Sequence, residues 1–147
     1  MSTIKVDTYL TRGGASEIAI DKLKGASSAG SMTVVGEGGT NTTNLQQGLG
    51  KAWIRFNGTS TVAINDSFNM ASLTDLDTGY YQTNYTTSFN SANNSITISS
   101  NRDSSGNAAF QNFLDSATGN NTIYIVKVQN ATADSDRIAE TVHGDLA

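Results

Sequence analysis

The single histidine is the first residue to consider for catalysis. His143 is the only histidine in the chain, so a Ser–His–Asp hydrolase would have to use it as the general base. It lies in the C-terminal tail beside Gly144 and Asp145, and no G-x-S-x-G nucleophile motif accompanies it. A surface or interface histidine is the favoured interpretation, and we therefore predict no catalytic residues.

Acidic turns are the next candidates for a site. Residues 75–79 have the sequence Asp-Leu-Asp-Thr-Gly, which resembles the start of a calcium loop, but the twelfth position holds Thr86 where a glutamate is required. A β-turn whose carboxylates accept backbone amide hydrogen bonds explains these residues, and residues 134–137 as well. Calcium binding at the first turn stays open. Asp66 and Asp75 could serve glycoside hydrolysis, although nothing singles out this pair.

Cofactor chemistry is not indicated either. The chain has no cysteine, which excludes disulfides, zinc–thiolate sites and iron–sulfur clusters. Residues 36–41 are rich in glycine, but they lack the Lys-Ser/Thr ending of a phosphate-binding loop. We predict no cofactor and no metal-ligand set.

A dense run of aromatic residues could bind a ligand by stacking. On a strand, Tyr81, Tyr85 and Phe89 would share one face and Tyr80 would lie on the other. Aromatic rings beside amide side chains are suited to sugars, so Tyr80, Tyr81 and Tyr85 are a candidate glycan-binding or interface set. The favoured interpretation is that one face is core and the other is exposed or lies at a subunit interface.

The composition indicates the elements that position these side chains. The 147 residues suit one domain, and Ser, Thr and Asn account for 51 of them. These residues and the 14 glycines are weak helix formers that suit strands and turns. We therefore predict an all-β fold, an antiparallel β-sandwich (jelly-roll-like) with an extended N-terminal β segment and at most one short helix.

Net charge and hydropathy exclude several classes of binding partner. The formal net charge of −4 argues against nucleic acid and against anionic membrane surfaces. The longest apolar stretch, near residues 123–126, is far shorter than the roughly 18–20 residues that cross a bilayer. We predict no nucleic-acid partner, no membrane insertion and no secretory signal at the N-terminus.

Three segments are predicted along the chain. Residues 1–24 contain two short alternating strands, which cannot bury enough surface alone, and form an attachment or stem β segment. Residues 25–44 are a Gly/Ser/Thr-rich linker with one strand. Residues 45–147 form the β-sandwich domain.

Turn signals divide that domain into strands. Asn57-Gly58 predicts a hairpin over residues 52–64. Further strands are expected near residues 67–73, 79–89, 95–100, 122–129 and 138–142. The apolar residues of 108–117 have helical spacing, so a short helix or a poorly ordered loop are both open there. The expected core residues are Trp53, Ile54, Phe56, Val62, Ile64, Phe68, Tyr124 and Val126.

The segment from about residue 31 onward resembles a known family. The carrying motifs are Leu45-Gln46-Gln47-Gly48-Leu49, Lys51-Ala52-Trp53, Phe56-Asn57-Gly58-Thr59, Val62-Ala63-Ile64, Asp66-Ser67-Phe68-Asn69 and His143-Gly144-Asp145-Leu146. They resemble small structural proteins and fibre domains of marine tailed bacteriophages that infect cyanobacteria and ocean heterotrophs. The resemblance covers most of the chain and is weakest over residues 100–120.

The resemblance implies a virion component without catalysis. It would be an exposed homotrimeric appendage, either a tail fibre component or a capsid decoration or head fibre, made in the host bacterial cytoplasm. Its partners would be copies of itself and, through residues 1–24, other virion proteins. The alternative is a receptor-binding module that recognises host-surface glycans. A depolymerase fragment is disfavoured, because the chain lacks the repeats of a solenoid.

Overall fold

Short antiparallel strands make up most of the structure. The computed structural model describes residues 13, 21–23, 25, 31–101, 109–127 and 132–147. The elements are β1 (Thr33–Val35), β2 (Thr42–Asn44), α1 (Leu45–Gly48), β3 (Ala52–Asn57), β4 (Ala63–Phe68), β5 (Met70–Asp77), β6 (Tyr80–Tyr85), β7 (Ser95–Ser100), β8 (Ala109–Ser116), β9 (Asn120–Lys127) and β10 (Ile138–His143). The predicted all-β class with one short helix is confirmed. The predicted stem over residues 1–24 lies almost entirely outside the described residues.

Two four-stranded sheets form the sandwich. The first sheet has the strand order β4-β3-β10-β7, the second has β5-β6-β9-β8, and β1 pairs with β2 in a separate hairpin. Eight strands in two sheets of four match the layering of a jelly roll. Three pairs of neighbouring strands are hairpins within one sheet, namely β3–β4, β5–β6 and β8–β9. At the centre of each sheet, β3 pairs with β10 and β6 pairs with β9, and these strands are distant in sequence.

The core lies between the two sheets and follows the alternation of the strands. In β3 the inward residues Ala52, Ile54 and Phe56 are buried, and the residues between them face solvent. The second sheet contributes Tyr81 and Ile123, among others. The rings of Phe56 and Tyr81 meet edge to face, with centroids 5.1 Å apart. Burial of apolar surface between the sheets is therefore what holds the layers together.

The predicted hairpin at Asn57-Gly58 is confirmed, but its turn is longer than two residues. Asn57 pairs with Ala63, so residues 58–62 form the loop. The side-chain Oδ1 of Asn57 accepts hydrogen bonds from the backbone N–H and the Oγ1 of Thr59, at 2.9 and 2.8 Å. Ser60 supplies the left-handed backbone at φ 58°, while the carbonyl of Gly58 accepts a bond from the hydroxyl of Tyr81.

Asn69 carries the chain from the first sheet to the second. It separates β4 from β5 with a left-handed backbone at φ 58°, so the single strand expected over residues 67–73 is two. Its Nδ2 donates to the carbonyls of Lys51 and Thr87, both at 3.1 Å, and its Oδ1 accepts from the N–H of Thr87 at 2.7 Å. An asparagine suits this position because it tolerates the left-handed region and offers both donors and acceptors.

Residues 109–116 form strand β8, so the short helix and the poorly ordered loop expected as alternatives over residues 108–117 are both wrong there. Over its length β8 pairs antiparallel with β9, with Ala109 opposite Lys127 and Ser116 opposite Asn121. A register shift between Phe113 and Asp115 bends the pairing. Cross-strand pairing with β9 therefore outweighs the local spacing of apolar residues.

The segment before the sandwich also differs from expectation. The linker over residues 25–44 contains two strands, β1 and β2, rather than one. The single turn of α1 follows, where the Oδ1 of Asn44 accepts a bond from the N–H of Gln47 at 3.0 Å and caps the helix. In the described part of the chain, no helix is long and apolar enough to span a membrane.

Candidate functional site

Large apolar side chains stand on the outer face of the first sheet. Trp53 and Phe68 lie directly opposite each other on β3 and β4 and are 37% and 52% exposed. Ile64 on β4 is also exposed, but it lies opposite the inward-facing Phe56 and therefore points to the other face of the sheet. We call Trp53 and Phe68 the aromatic patch.

Three residues expected in the core, Trp53, Ile64 and Phe68, are exposed, so these predictions are wrong. The alternation of β3 turns Ile54 and Phe56 inward and Trp53 outward, and Phe68 shares the outer face of Trp53. Ile64 shares the inner face of Phe56 but is exposed because β4 is the edge strand of its sheet.

Of the other residues expected in the core, some are buried between the sheets and one lies on an outer face. Ile54 and Phe56 are in the core, and Val62 is partly buried against it. Tyr124 is half-buried on the outer face of the second sheet, where its ring stacks on Tyr80. Val126 lies in β9, but its side chain is outside the described residues.

In the row that crosses the sheet from the aromatic patch, the neighbouring side chains are small and neutral. Thr141 of β10 lies opposite Trp53, and Thr97 of β7 lies opposite Thr141, so one row across the sheet runs from Phe68 to Thr97. Small side chains leave the tryptophan ring accessible from above the sheet. This face can therefore pack against a flat surface of another molecule.

Stacked tyrosines and amides occupy the outer face of the second sheet. The rings of Tyr80 and Tyr124 are 5.5 Å apart between centroids and nearly parallel, at 12°. Further along the same face, Gln82 donates from Nε2 to the Oδ1 of Asn120 at 3.4 Å. Asn84 donates from Nδ2 to a hydroxyl of β5 at 3.1 Å. Rings flanked by amides and hydroxyls can stack on a sugar and hydrogen-bond to it.

The structure separates the three tyrosines of the predicted glycan set. Tyr80 is outward, but Tyr81 and Tyr85 are buried between the sheets, so the grouping of all three is wrong. The hydroxyl oxygen of Tyr81 lies 3.0 Å from the Gly58 carbonyl oxygen and 2.9 Å from Asp134 Oδ1, and it can donate its hydrogen bond to either acceptor. Burial is the largest cause that raises the pKa of both Tyr81 and Tyr85. The tyrosine that joins Tyr80 is Tyr124.

A polar cluster is buried inside the sandwich. Thr83, Asn121 and Glu140 are almost fully enclosed, and Tyr85 borders them. The Nδ2 of Asn121 donates to the Oε1 of Glu140 at 2.6 Å, whereas Glu140 Oε2, Asn121 Oδ1 and the Tyr85 hydroxyl have no partner among the described residues. Burial raises the pKa of Glu140, and the hydrogen bond from Asn121 offsets this only in part.

Sequence analysis missed this cluster, although one signal was present. Glu140 lies on the same face of β10 as Ile138 and Val142, at every second position. A charged residue within an inward-facing alternation indicates either a strand register that exposes it or a buried acid. In the structure, the register of β10 against β3 and β7 places Glu140 on the inner face, so it is a buried acid.

In the acidic turn before Tyr80, carboxylate oxygens accept hydrogen bonds from backbone N–H groups, as predicted for a β-turn. The Oδ1 of Asp77 accepts from the N–H of Thr78 at 2.7 Å, and the Oδ1 of Asp134 accepts from the N–H of Gly79 at 2.8 Å. Asp75, Asp77 and Asp134 line an open cavity of about 280 Å³. Among the described residues, no group of acidic or histidine side chains has the arrangement of a metal site.

His143 lies at the end of β10 and is half-buried. Its ring lies near Gly50, where an added Cβ would be 4.0 Å from Cε1. Within the described residues its side chain makes no hydrogen bond to a hydroxyl or a carboxylate. In the described part of the chain, no nucleophile and acid are therefore arranged around this histidine.

An apolar groove lies beside α1. It has a volume of about 770 Å³ and is bordered by Leu45 and Leu49 on one side and by Leu146 at the C-terminal end. Leu49 is 53% exposed, and Leu23, which also borders the groove, is 63% exposed. Together with the aromatic patch, this groove concentrates exposed apolar surface at two places.

Comparison with known proteins adds no relative. No family model matches the chain, and no significant match was found among the curated proteins or among the solved structures.

Proposed function

We propose that this protein is a virion structural protein of a tailed bacteriophage, an exposed homotrimeric appendage without catalysis. The observation that carries the proposal is the exposed Trp53–Phe68 pair on a well-ordered sheet. The sequence motifs given above support the phage context. A tail fibre component and a capsid decoration or head fibre are both compatible with it.

The physical basis is the cost of leaving the aromatic patch in water. An aromatic side chain buries about 150–250 Å² when it is covered, and each Å² of apolar surface is worth roughly 25 cal/mol. Trp53 and Phe68 stand together rather than singly, and contiguous exposed apolar surface marks contact sites. In a closed homo-oligomer, neighbouring subunits would cover the patch and the edge strand β4 that carries Phe68.

The replacement of Trp53 and Phe68 by serine is expected to abolish self-association. Light scattering coupled to size exclusion should give about three times 15.4 kDa for the wild-type chain and 15.4 kDa for the Trp53→Ser/Phe68→Ser variant. Both side chains point outward, so the variant should keep its fold. Leu76→Ser is the matched control, because Leu76 is 50% exposed but lies on the second sheet.

The outcomes of this experiment separate the alternatives. A wild-type monomer would contradict the homotrimer, and a trimer that persists in the double variant would contradict the role of the aromatic patch. Immunogold labelling of phage particles then tests the virion location, since an appendage should be labelled on the outside of the particle.

Recognition of host-surface glycans is the second candidate. It is favoured by the stacked Tyr80–Tyr124 pair with amides on the same face. On a glycan array, wild-type protein should bind at least one surface glycan, and Tyr80→Ala/Tyr124→Ala should reduce that binding by roughly tenfold or more, since one sugar–ring stack is worth about 1–2 kcal/mol.

Phenylalanine substitutions at the same two positions are the control. Tyr80→Phe/Tyr124→Phe keeps the rings and should retain most of the binding, which distinguishes stacking from a loss of fold. An array on which the wild-type protein binds nothing would exclude this candidate and leave the structural role untouched.

A further inference from the structure

Two arginines line one open cavity on the outer side of the first sheet, beside the row of the aromatic patch. The cavity has a volume of about 240 Å³, and Arg55 and Arg137 line it together with Ser99 and Asn101. The protein has only nine basic residues and a net charge of −4. Two guanidinium groups on one concave surface are therefore a local exception to the charge of the chain.

The backbone fixes both arginines in place. Arg55 sits on β3 opposite Ala139 of β10, and Ser99 of β7 lies opposite Ala139 on the other side. The small Ala139 side chain thus forms the floor between Arg55 and Ser99. Arg137 is held at the start of β10, because its carbonyl accepts from the N–H of Asn101 at 2.9 Å.

The side chain of Ser135 also contacts the backbone of Arg137. Its Oγ lies 3.2 Å from the Arg137 carbonyl and 3.4 Å from the Arg137 N–H. Arg55 therefore extends from strand β3, and Arg137 from a hydrogen-bonded backbone position directly before β10.

Neither guanidinium has an acidic partner in the described part of the chain. Asp66 lies opposite Arg55 across β3 and β4, but its Oδ1 accepts from the N–H of Ser67 at 2.9 Å and it makes no ion pair with Arg55. Asp136 precedes Arg137, and its Oδ1 accepts from the Nδ2 of Asn101 at 3.3 Å. The charge of the two arginines is thus available to a ligand.

We propose that Arg55 and Arg137 form a binding site for an oxyanion, either a carboxylate or a sulfate group carried by an acidic polysaccharide. Guanidinium groups bind such groups through two parallel N–H···O bonds, which a lysine cannot reproduce. The flanking Ser99 and Asn101 supply neutral hydrogen-bonding groups for sugar hydroxyls beside the anion. The site shares the outer face of the first sheet with Trp53 and is separate from the Tyr80–Tyr124 pair.

Binding can be measured on the full chain with three probes. Isothermal titration with sulfated dextran, with polygalacturonate and with neutral dextran separates sulfate, carboxylate and uncharged ligands. Inorganic sulfate tests the free ion as the source. Wild-type protein is expected to bind at least one of the acidic polymers, more weakly as salt rises, and not to bind neutral dextran.

Substitutions at the two arginines assign the binding to this cavity. Arg55→Gln/Arg137→Gln is expected to weaken it by at least about tenfold, and Arg55→Lys/Arg137→Lys to restore only part of it, because charge is kept without the bidentate geometry. Lys22→Gln is the matched control, since it removes one positive charge from an exposed side chain that does not line the cavity. Thermal melts confirm that each variant is folded.

Each outcome bears on the site. Loss of polymer binding in the glutamine variant supports it, with the preferred polymer giving the ligand class. Binding of inorganic sulfate alone, no binding of any anion, or binding that the glutamine variant retains would overturn it. A change of oligomeric mass in the glutamine variant without anion binding would also overturn it, and would assign the arginines to a subunit contact.

Discussion

Replacing Glu140 with glutamine is expected to stabilise the protein at neutral pH by about 1–3 kcal/mol, the typical cost of an unpaired buried polar group. The carboxylate is 1% exposed, and its Oε2 has no partner among the described residues, as is also true of the neighbouring Asn121 Oδ1. A glutamine in the same place keeps an acceptor for Asn121 Nδ2 and carries no charge to bury.

The same substitution is expected to remove a pH dependence. The folded-state pKa of Glu140 is raised above its ordinary value of 4.5, so the folded protein holds this proton more tightly than the unfolded chain. Below pH 4.5 both states are protonated and the contribution of Glu140 to stability is complete. As the pH rises above 4.5 the unfolded state ionises first, and stability is lost until the pH passes the raised folded-state pKa.

Urea unfolding between pH 4 and pH 8 measures both effects. The difference in unfolding free energy between Glu140→Gln and wild type should grow with pH above 4.5, by at most about 1.4 kcal/mol per pH unit. Glu37→Gln is the control, because Glu37 is exposed in the glycine-rich loop and should show no such trend. A difference that stays constant with pH would contradict the buried, protonated acid.

Glu140→Ala separates the proton from the hydrogen bond. Alanine also removes the charge, but it leaves the Asn121 Nδ2 without its acceptor and opens a cavity. It should therefore destabilise the protein by about 2 kcal/mol or more at low pH, where the glutamine variant resembles wild type. Equal stability of the two variants would show that Asn121 gains nothing from residue 140.

Gly79→Ala is expected to destabilise the protein by about 3 kcal/mol or more, through two separate causes. Gly79 has a left-handed backbone at φ 72°, which costs alanine about 1–2 kcal/mol. An added Cβ would also lie 2.8 Å from the N of Ala133 and 2.9 Å from the backbone oxygens of Ala133 and Ile125. Backbone atoms at these distances cannot move aside independently, so the β5–β6 turn would have to separate from residues 132–135.

A second glycine isolates the contribution of the backbone angle. Gly39 has a similar φ of 78°, but an added Cβ there would meet no atom within 4 Å. Gly39→Ala should therefore cost only about 1 kcal/mol in urea unfolding, and the excess of Gly79→Ala over it measures the steric contact. Equal losses for the two variants would show that the turn yields to the extra methyl group.

Alternation within strands could be predicted from the sequence, and it was right where the strand is well marked. The run over residues 52–56 predicts that Ile54 and Phe56 share one face and that Trp53 lies on the other, and the structure has this arrangement. The hairpin at Asn57-Gly58 and the all-β class follow from equally local signals. Local periodicity succeeds here because side chains of a strand alternate whatever the rest of the fold does.

Helix and strand could not be distinguished over residues 108–117. Four apolar residues at helical spacing are too few to outweigh a pairing partner that lies elsewhere in the chain. The partner is β9, and only the folded sheet supplies it. The aromatic patch was mistaken for core for a related reason, since an apolar residue on a strand has two possible faces and the sequence alone does not say which face is covered.

The sequence by itself determined that this chain forms strands joined by Asn and Gly turns, and which residues of the clearly alternating strands share a face. The tertiary structure decided which face is buried, and it placed Tyr124 against Tyr80, Asn121 against Glu140, and Arg137 in the same cavity as Arg55. Each of these pairs joins strands or segments distant in sequence. The register between such strands is set by the packing of the whole sandwich, which no local pattern contains.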